Sequence, residues 1–74
     1  MKVILTMYLC SVIQLECMAP YTYPDKYDDL YSCMISGYTK AYSEVVKIGK
    51  DEINSKMLFI KFRCTQLYGE EKDA

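Results

Sequence analysis

Two hydrophobic rhythms alternate along the chain. From Val3 to Cys10, apolar and β-forming residues follow one another without Gly or Pro, as in a strand buried on both faces. Ser11 to Tyr23 has no period and leads into Ala19-Pro20-Tyr21-Thr22-Tyr23-Pro24, where the prolines exclude a helix and favour an extended connection. Val12-Ile13 and Leu15 suit a brief hairpin, but the usual turn residues are missing. The step then changes. Tyr27, Leu30, Tyr31, Met34, Tyr38, Ala41, Tyr42, Val45 and Ile48 recur every three or four residues and share one face of a helix. Ser32, Ser36, Lys40, Ser43 and Lys47 fall opposite. This predicts a long amphipathic helix with Asp25 as N-cap, Asp28 and Asp29 favoured by its dipole, and Gly49 just beyond its end. Lys50 to Lys56 adds further helical turns. Met57 to Cys64 alternates, with Leu58, Ile60, Phe62 and Cys64 on one side and Lys61 and Arg63 on the other: a second strand, half exposed.

The order strand, long helix, strand predicts a small α/β fold. It is a β-α-β unit over residues 1–68, with one long amphipathic helix packed on a two- or three-stranded sheet. Residues 69–74 form a charged tail. A right-handed crossover would make the two strands parallel if they are neighbours. Two strands and a helix cover little. Ile35, Val46 and Ile53 add apolar surface at the margin of the helix stripe, so a second copy or another protein is expected to cover the spare face.

Composition narrows the chemistry. The 74 residues carry nine basic and ten acidic side chains, which is not the basic footprint of a nucleic-acid binder. There is no His, which removes the commonest general base and metal ligand. The N-terminal apolar run is shorter than the roughly 20 residues of a membrane-spanning helix. With Met1-Lys2 before it, that run has the charge and length of a signal peptide. The cleavage region around Cys17, Ala19 and Pro20 is poor, so an uncleaved strand is expected. No cofactor is expected, and no enzymatic activity.

Four cysteines and eight tyrosines stand out. In a parallel unit, Cys10, Cys17, Cys33 and Cys64 would all lie near one edge of the sheet. They could be buried thiols, two disulfides, or a four-thiolate zinc or iron–sulfur site, although no Cys-x-x-Cys pair supports the metal. Tyr27, Tyr31, Tyr38 and Tyr42 band the helix, either capping a thin core or offering contact area. Asp25, Asp28 and Asp29 are explained by the helix start. Lys61 and Arg63 suit an acidic partner or protect a sheet edge.

The stretches Met1-Lys2-Val3-Ile4-Leu5-Thr6, Leu9-Cys10-Ser11, Glu16-Cys17-Met18-Ala19-Pro20, Tyr31-Ser32-Cys33-Met34, Gly37-Tyr38, Ile48-Gly49-Lys50, Ile53-Asn54 and Phe59-Ile60-Lys61-Phe62-Arg63-Cys64 resemble a group of short proteins from marine phage (cyanophage-like) and bacterial genomes, to which no activity is assigned. The resemblance implies a viral accessory protein made inside a bacterial host, with its thiols reduced in the host cytoplasm. The expected function is non-enzymatic binding of a host protein or of a second copy, without nucleic acid or membrane. Its contacts would be Tyr31, Ile35, Tyr38, Tyr42 and Val46, with Lys61 and Arg63 adding charge. The alternatives are a metal-binding protein using Cys10, Cys17, Cys33 and Cys64, and a secreted domain stapled by disulfides.

Overall fold

A computed structural model describes residues 2–67. The elements are β1 (Lys2–Ser11), β2 (Glu16–Cys17), β3 (Tyr21–Tyr27), α1 (Leu30–Ile48), α2 (Lys50–Lys56) and β4 (Leu58–Leu67). As expected, helix and strand are mixed and the long helix packs on a small sheet. The sheet has four strands, and every pairing within it is antiparallel. The proposed charged tail lies outside the described residues.

β1 is the spine of this sheet. β4 pairs with it along its whole length, from Lys2↔Leu67 to Ser11↔Leu58. The other edge of β1 is shared by β3, paired from Val3 to Met7, and by β2, paired at Cys10 and Ser11. The parallel pairing expected of the two long strands is therefore corrected. The reason is β3, which the two prolines concealed. β3 descends beside β1, α1 climbs back, and β4 descends again, so the crossover joins β3 to β4 with β1 inserted between them. This is a split β-α-β arrangement. Pro24 is tolerated because β3 is an edge strand, and its register shifts between the Ile4 and Thr6 pairings.

β3 also moves the helix start. Tyr27 still pairs with Val3, so Asp25 belongs to a strand and the cap falls to Asp29. The Asp29 carboxylate accepts the Ser32 backbone N–H at 2.8 Å. Gly49 ends α1 with φ +98° and donates its N–H to the Val45 carbonyl, as its position predicted. The hairpin after β1 forms without Gly or Asn. Ser11 Oγ accepts the Gln14 N–H at 3.2 Å and donates to the Lys56 carbonyl at 2.9 Å, and Leu15 takes φ +56°.

The core lies between α1 and one face of the sheet. Val3, Leu5 and Cys33 are fully buried, with Tyr23, Tyr27, Phe62 and Cys64 packed around them. The β4 alternation holds, since Ile60, Phe62 and Cys64 sit opposite Leu9, Met7 and Leu5 on the helix side. The far face of β1 is half-buried at Ile4, Thr6 and Tyr8, so this strand is not covered on both faces as its sequence suggested.

Candidate functional site

The side of α1 turned to the sheet is the small and polar one. Cys33 and Gly37 are buried, Ser36, Lys40, Ala41, Glu44 and Ile48 are half-buried, and all lie along one strip of the helix. Two features set this rotation. Cys33 is disulfide-bonded to Cys64 on β4, with Cα atoms 6.2 Å apart. One turn later, the Phe62 ring fills the place a side chain at Gly37 would need; a Cβ there would come within 2.5–2.8 Å of three ring carbons. No residue other than glycine allows this approach.

The consequence corrects the expected helix packing. The stripe assigned to the core faces outward over most of its length, with Leu30, Tyr31, Met34, Tyr38, Tyr42 and Val45 all exposed. Together with Ile35 and Val46 they form one apolar arc. At the expected contact positions exposure is 73% for Tyr31 and Tyr42, 63% for Tyr38, 61% for Val46 and 52% for Ile35. Aromatic and aliphatic groups so exposed along a single helix face form a continuous patch rather than scattered singles. Tyr38 is anchored within it, its ring edge-on to Phe62 at 4.8 Å and 89°.

The strip beneath is ordered by polar contacts. Tyr27 and Ser36 share a hydroxyl–hydroxyl hydrogen bond of 2.7 Å. Lys40 Nζ lies 4.8 Å from the Tyr23 ring centre, and the Tyr23 hydroxyl reaches Met7 Sδ at 3.8 Å. Burial, with the Glu44 carboxylate second, holds the Tyr23 hydroxyl above its ordinary pKa. Lys40 and Glu44, the only charged residues between Leu30 and Val46, thus belong to the inner side.

Lys61 and Arg63 do not join the tyrosine band. Register pairs them with Tyr8 and Thr6, which puts them on the open face of the sheet, away from α1. Lys61 Nζ sits 5.4 Å from the Tyr8 ring centre, and Lys26 occupies the same face opposite Ile4. The two groups of expected contact residues therefore form two surfaces on opposite sides of the molecule.

The cysteines are also separated. Cys10 and Cys17 face each other across β1 and β2 and are bonded, while the Cys33–Cys64 bond lies toward the other end of β1, beside Leu5. Gathering all four sulfurs required parallel strands. With antiparallel ones they form two pairs, which corrects both the four-thiolate metal alternative and the expectation of reduced thiols. Among the described residues no group of three or more His, Cys, Asp or Glu side chains could hold a metal. A shallow groove beside Cys10–Cys17 is lined by Leu9, Met18, Ile48 and Leu58, with Glu52 and Lys56 paired at its lip at 2.6 Å.

Leu30, Met34 and Val45 lie at the surface although the most apolar side of a helix ordinarily faces inward. The competing signal was Cys33, Gly37 and Ala41 at four-residue steps, a small-residue strip that permits close approach to a sheet. No helix is long and apolar enough to cross a membrane among the described residues. No family model, curated protein or solved structure matches the chain.

Proposed function

We propose that this chain is a protein-docking module that acts without catalysis, and that the outer arc of α1 is its contact face. One observation carries the reading: a disulfide and a glycine turn the small side of the helix inward and leave its apolar side in water. Tyrosines suit such a role, because they offer large area for little rotamer entropy. Lys61 and Arg63 would serve a separate, weaker contact on the open face of the sheet.

The test is photo-cross-linking in the producing cell from two neighbouring exposed positions. A benzophenone side chain at position 42 lies in the apolar arc, and one at position 43 lies outside it. Covalent attachment to a second polypeptide from 42 but not from 43 is the expected result. Equal attachment from both, or none from either, overturns the reading.

The two disulfides support an oxidising compartment as the place of action, in preference to the host cytoplasm that the phage-like resemblance implies. Intact mass with thiol counting on protein taken directly from the producing cell tests this. The expected protein has no free thiol and lacks about two hydrogen masses per bond. Four free thiols would restore the cytoplasmic reading.

A further inference from the structure

The two edges of the sheet differ. β3 is interrupted by Pro24 and by a shift of register, whereas β4 runs from Leu58 to Leu67 without Gly, Pro or bulge. β4 pairs with β1 on one side only. In an antiparallel ladder, alternate residues turn their N–H and C=O groups away from the partner strand, so the outer edge of β4 carries a row of unpaired donors and acceptors. Between Phe59 and Thr65 none of these groups has another backbone partner among the described residues. α1 presents an apolar flank on this side. Its other flank reaches β3, through Ser36 to Tyr27 and Lys40 to Tyr23. Over β4, Cys33 is bonded to Cys64 and Tyr38 sits edge-on to Phe62. Met34 and Val45 stand four and seven residues from Tyr38 and share its flank, so the exposed arc begins over β4 and continues outward. On the opposite face of the same strand lie Lys61 and Arg63, and neither takes part in an ion pair among the described residues.

We infer that β4 accepts a fifth strand: an extended segment of a partner polypeptide whose residues alternate between apolar and acidic. The inference rests on the docking reading above and names the chemistry of its occupant. A strand beside β4 would lie about 4.8 Å beyond it, beneath Met34, Tyr38 and Val45, with Tyr31 and Tyr42 farther out on the same arc. Successive side chains of a strand point to opposite faces. One alternate set would therefore meet the arc, and the other would stand beside Lys61 and Arg63, which are themselves spaced by the period of one strand face. A polypeptide supplies the alternating donors and acceptors that the edge lacks, and opposite charges at neighbouring positions fix its register. A second copy paired edge to edge about the middle of β4 would set Lys61 and Arg63 against the same two cations, which disfavours it. Residues 68–74 of this chain have no large apolar side chain after Tyr68 to lie under the arc. The two contact surfaces on opposite sides of the molecule then serve the two faces of one added strand.

The probe is a peptide of about nine residues alternating Val and Glu, added to the full oxidised chain. Hydrogen exchange read by amide NMR is the first measurement. Alternate amides between Phe59 and Thr65 are expected to gain roughly 10-fold protection at about 1 mM peptide. Protection that is absent, or confined to α1, overturns strand addition. N-methylation of one alternate set of peptide amides should abolish the effect while methylation of the other set should not, and indifference to both overturns it as well. Lys61→Glu combined with Arg63→Glu changes only exposed side chains. It should weaken the Val-Glu peptide roughly 10-fold and transfer the preference to a Val-Lys peptide. Equal binding of the two peptides by the unchanged chain overturns the acidic assignment. Met34→Glu, which sets a carboxylate over the apolar set, is expected to weaken binding several-fold. The cross-link from position 42 separates this failure from that of the docking reading. Attachment there without protection of β4 overturns the fifth strand and leaves the docking face standing, and the absence of both removes both.

Discussion

The two long sides of α1 carry opposite kinds of residue for opposite reasons. The inner side is built from Cys33, Gly37 and Ala41 and is tied covalently to β4; its virtue is thinness, which lets the helix axis approach the sheet. The outer side holds tyrosines and branched aliphatics that remain exposed, with Tyr38 held edge-on to Phe62. Hydrophobicity alone would have turned the helix the other way. A covalent bond and a steric fit decide its rotation, and the greasiest side is left exposed.

This contrast can be broken most severely from the inside. The Cys33–Cys64 bond closes a separation of 31 residues, so replacing both cysteines with serine should cost about 3–4 kcal/mol by loop-closure entropy. In a domain this small that lowers the melting temperature by more than 10 °C or abolishes folding, as circular dichroism would show. The Cys10–Cys17 separation is only 7 residues, and its loss should cost about 1 kcal/mol less.

Next in size is Gly37→Ala. The added methyl collides with the Phe62 ring, and relieving the overlap should cost about 1–3 kcal/mol. Pairing it with Phe62→Leu, which vacates the ring position, should make the effect of the methyl smaller. A double-mutant cycle by urea unfolding measures that coupling. A cost of Gly37→Ala unchanged in the Phe62→Leu background would mean that the ring does not set the helix approach.

The cap of the helix gives a smaller, pH-dependent signal. The Ser32 backbone N–H holds the Asp29 carboxyl below its usual pKa, and Lys2, bonded at 2.6 Å, does the same for Asp28. A carboxyl depressed in the folded state contributes stability that is present above its unfolded value of about 3.9 and is lost as pH falls through the lower folded value. Asp29→Asn keeps a capping acceptor but cannot titrate, so it should flatten the acid limb of the melting curve while changing little at neutral pH. The smallest effect is expected on the outside. In dilute, unassociated protein, Val46→Thr should shift folding stability by no more than about 0.5 kcal/mol, since Val46 is mostly exposed there.

Much of the architecture was legible because it follows from local rules. The helix period from Leu30 to Ile48, the glycine stop at Gly49 and the alternation from Leu58 to Cys64 each rest on residues within a turn or a pleat of one another. What stayed hidden was decided at long range. β3 could not be seen in Tyr21–Tyr27, because Pro24 argues against a strand until the segment is known to lie at an edge. The antiparallel sense of β1 and β4 depends on that hidden strand, and so does the separation of the cysteines into two pairs. Tyr31, Tyr38 and Tyr42 lie on the stripe that periodicity assigns to the core, with Ile35 and Val46 at its margin. The bond from Cys33 to Cys64 and the ring of Phe62 against Gly37, both contacts between residues far apart in sequence, show which way the helix turns.

The place of β1 bears on the life of the chain before it is folded. Its longest neighbour, β4, is encoded some fifty residues later, and β2 and β3 together cover only the other edge. During synthesis the spine of the sheet must therefore wait, one flank of amide groups bare, until the last strand emerges. Any interruption upstream of Leu58 would leave that flank open to whatever extended peptide lies nearby.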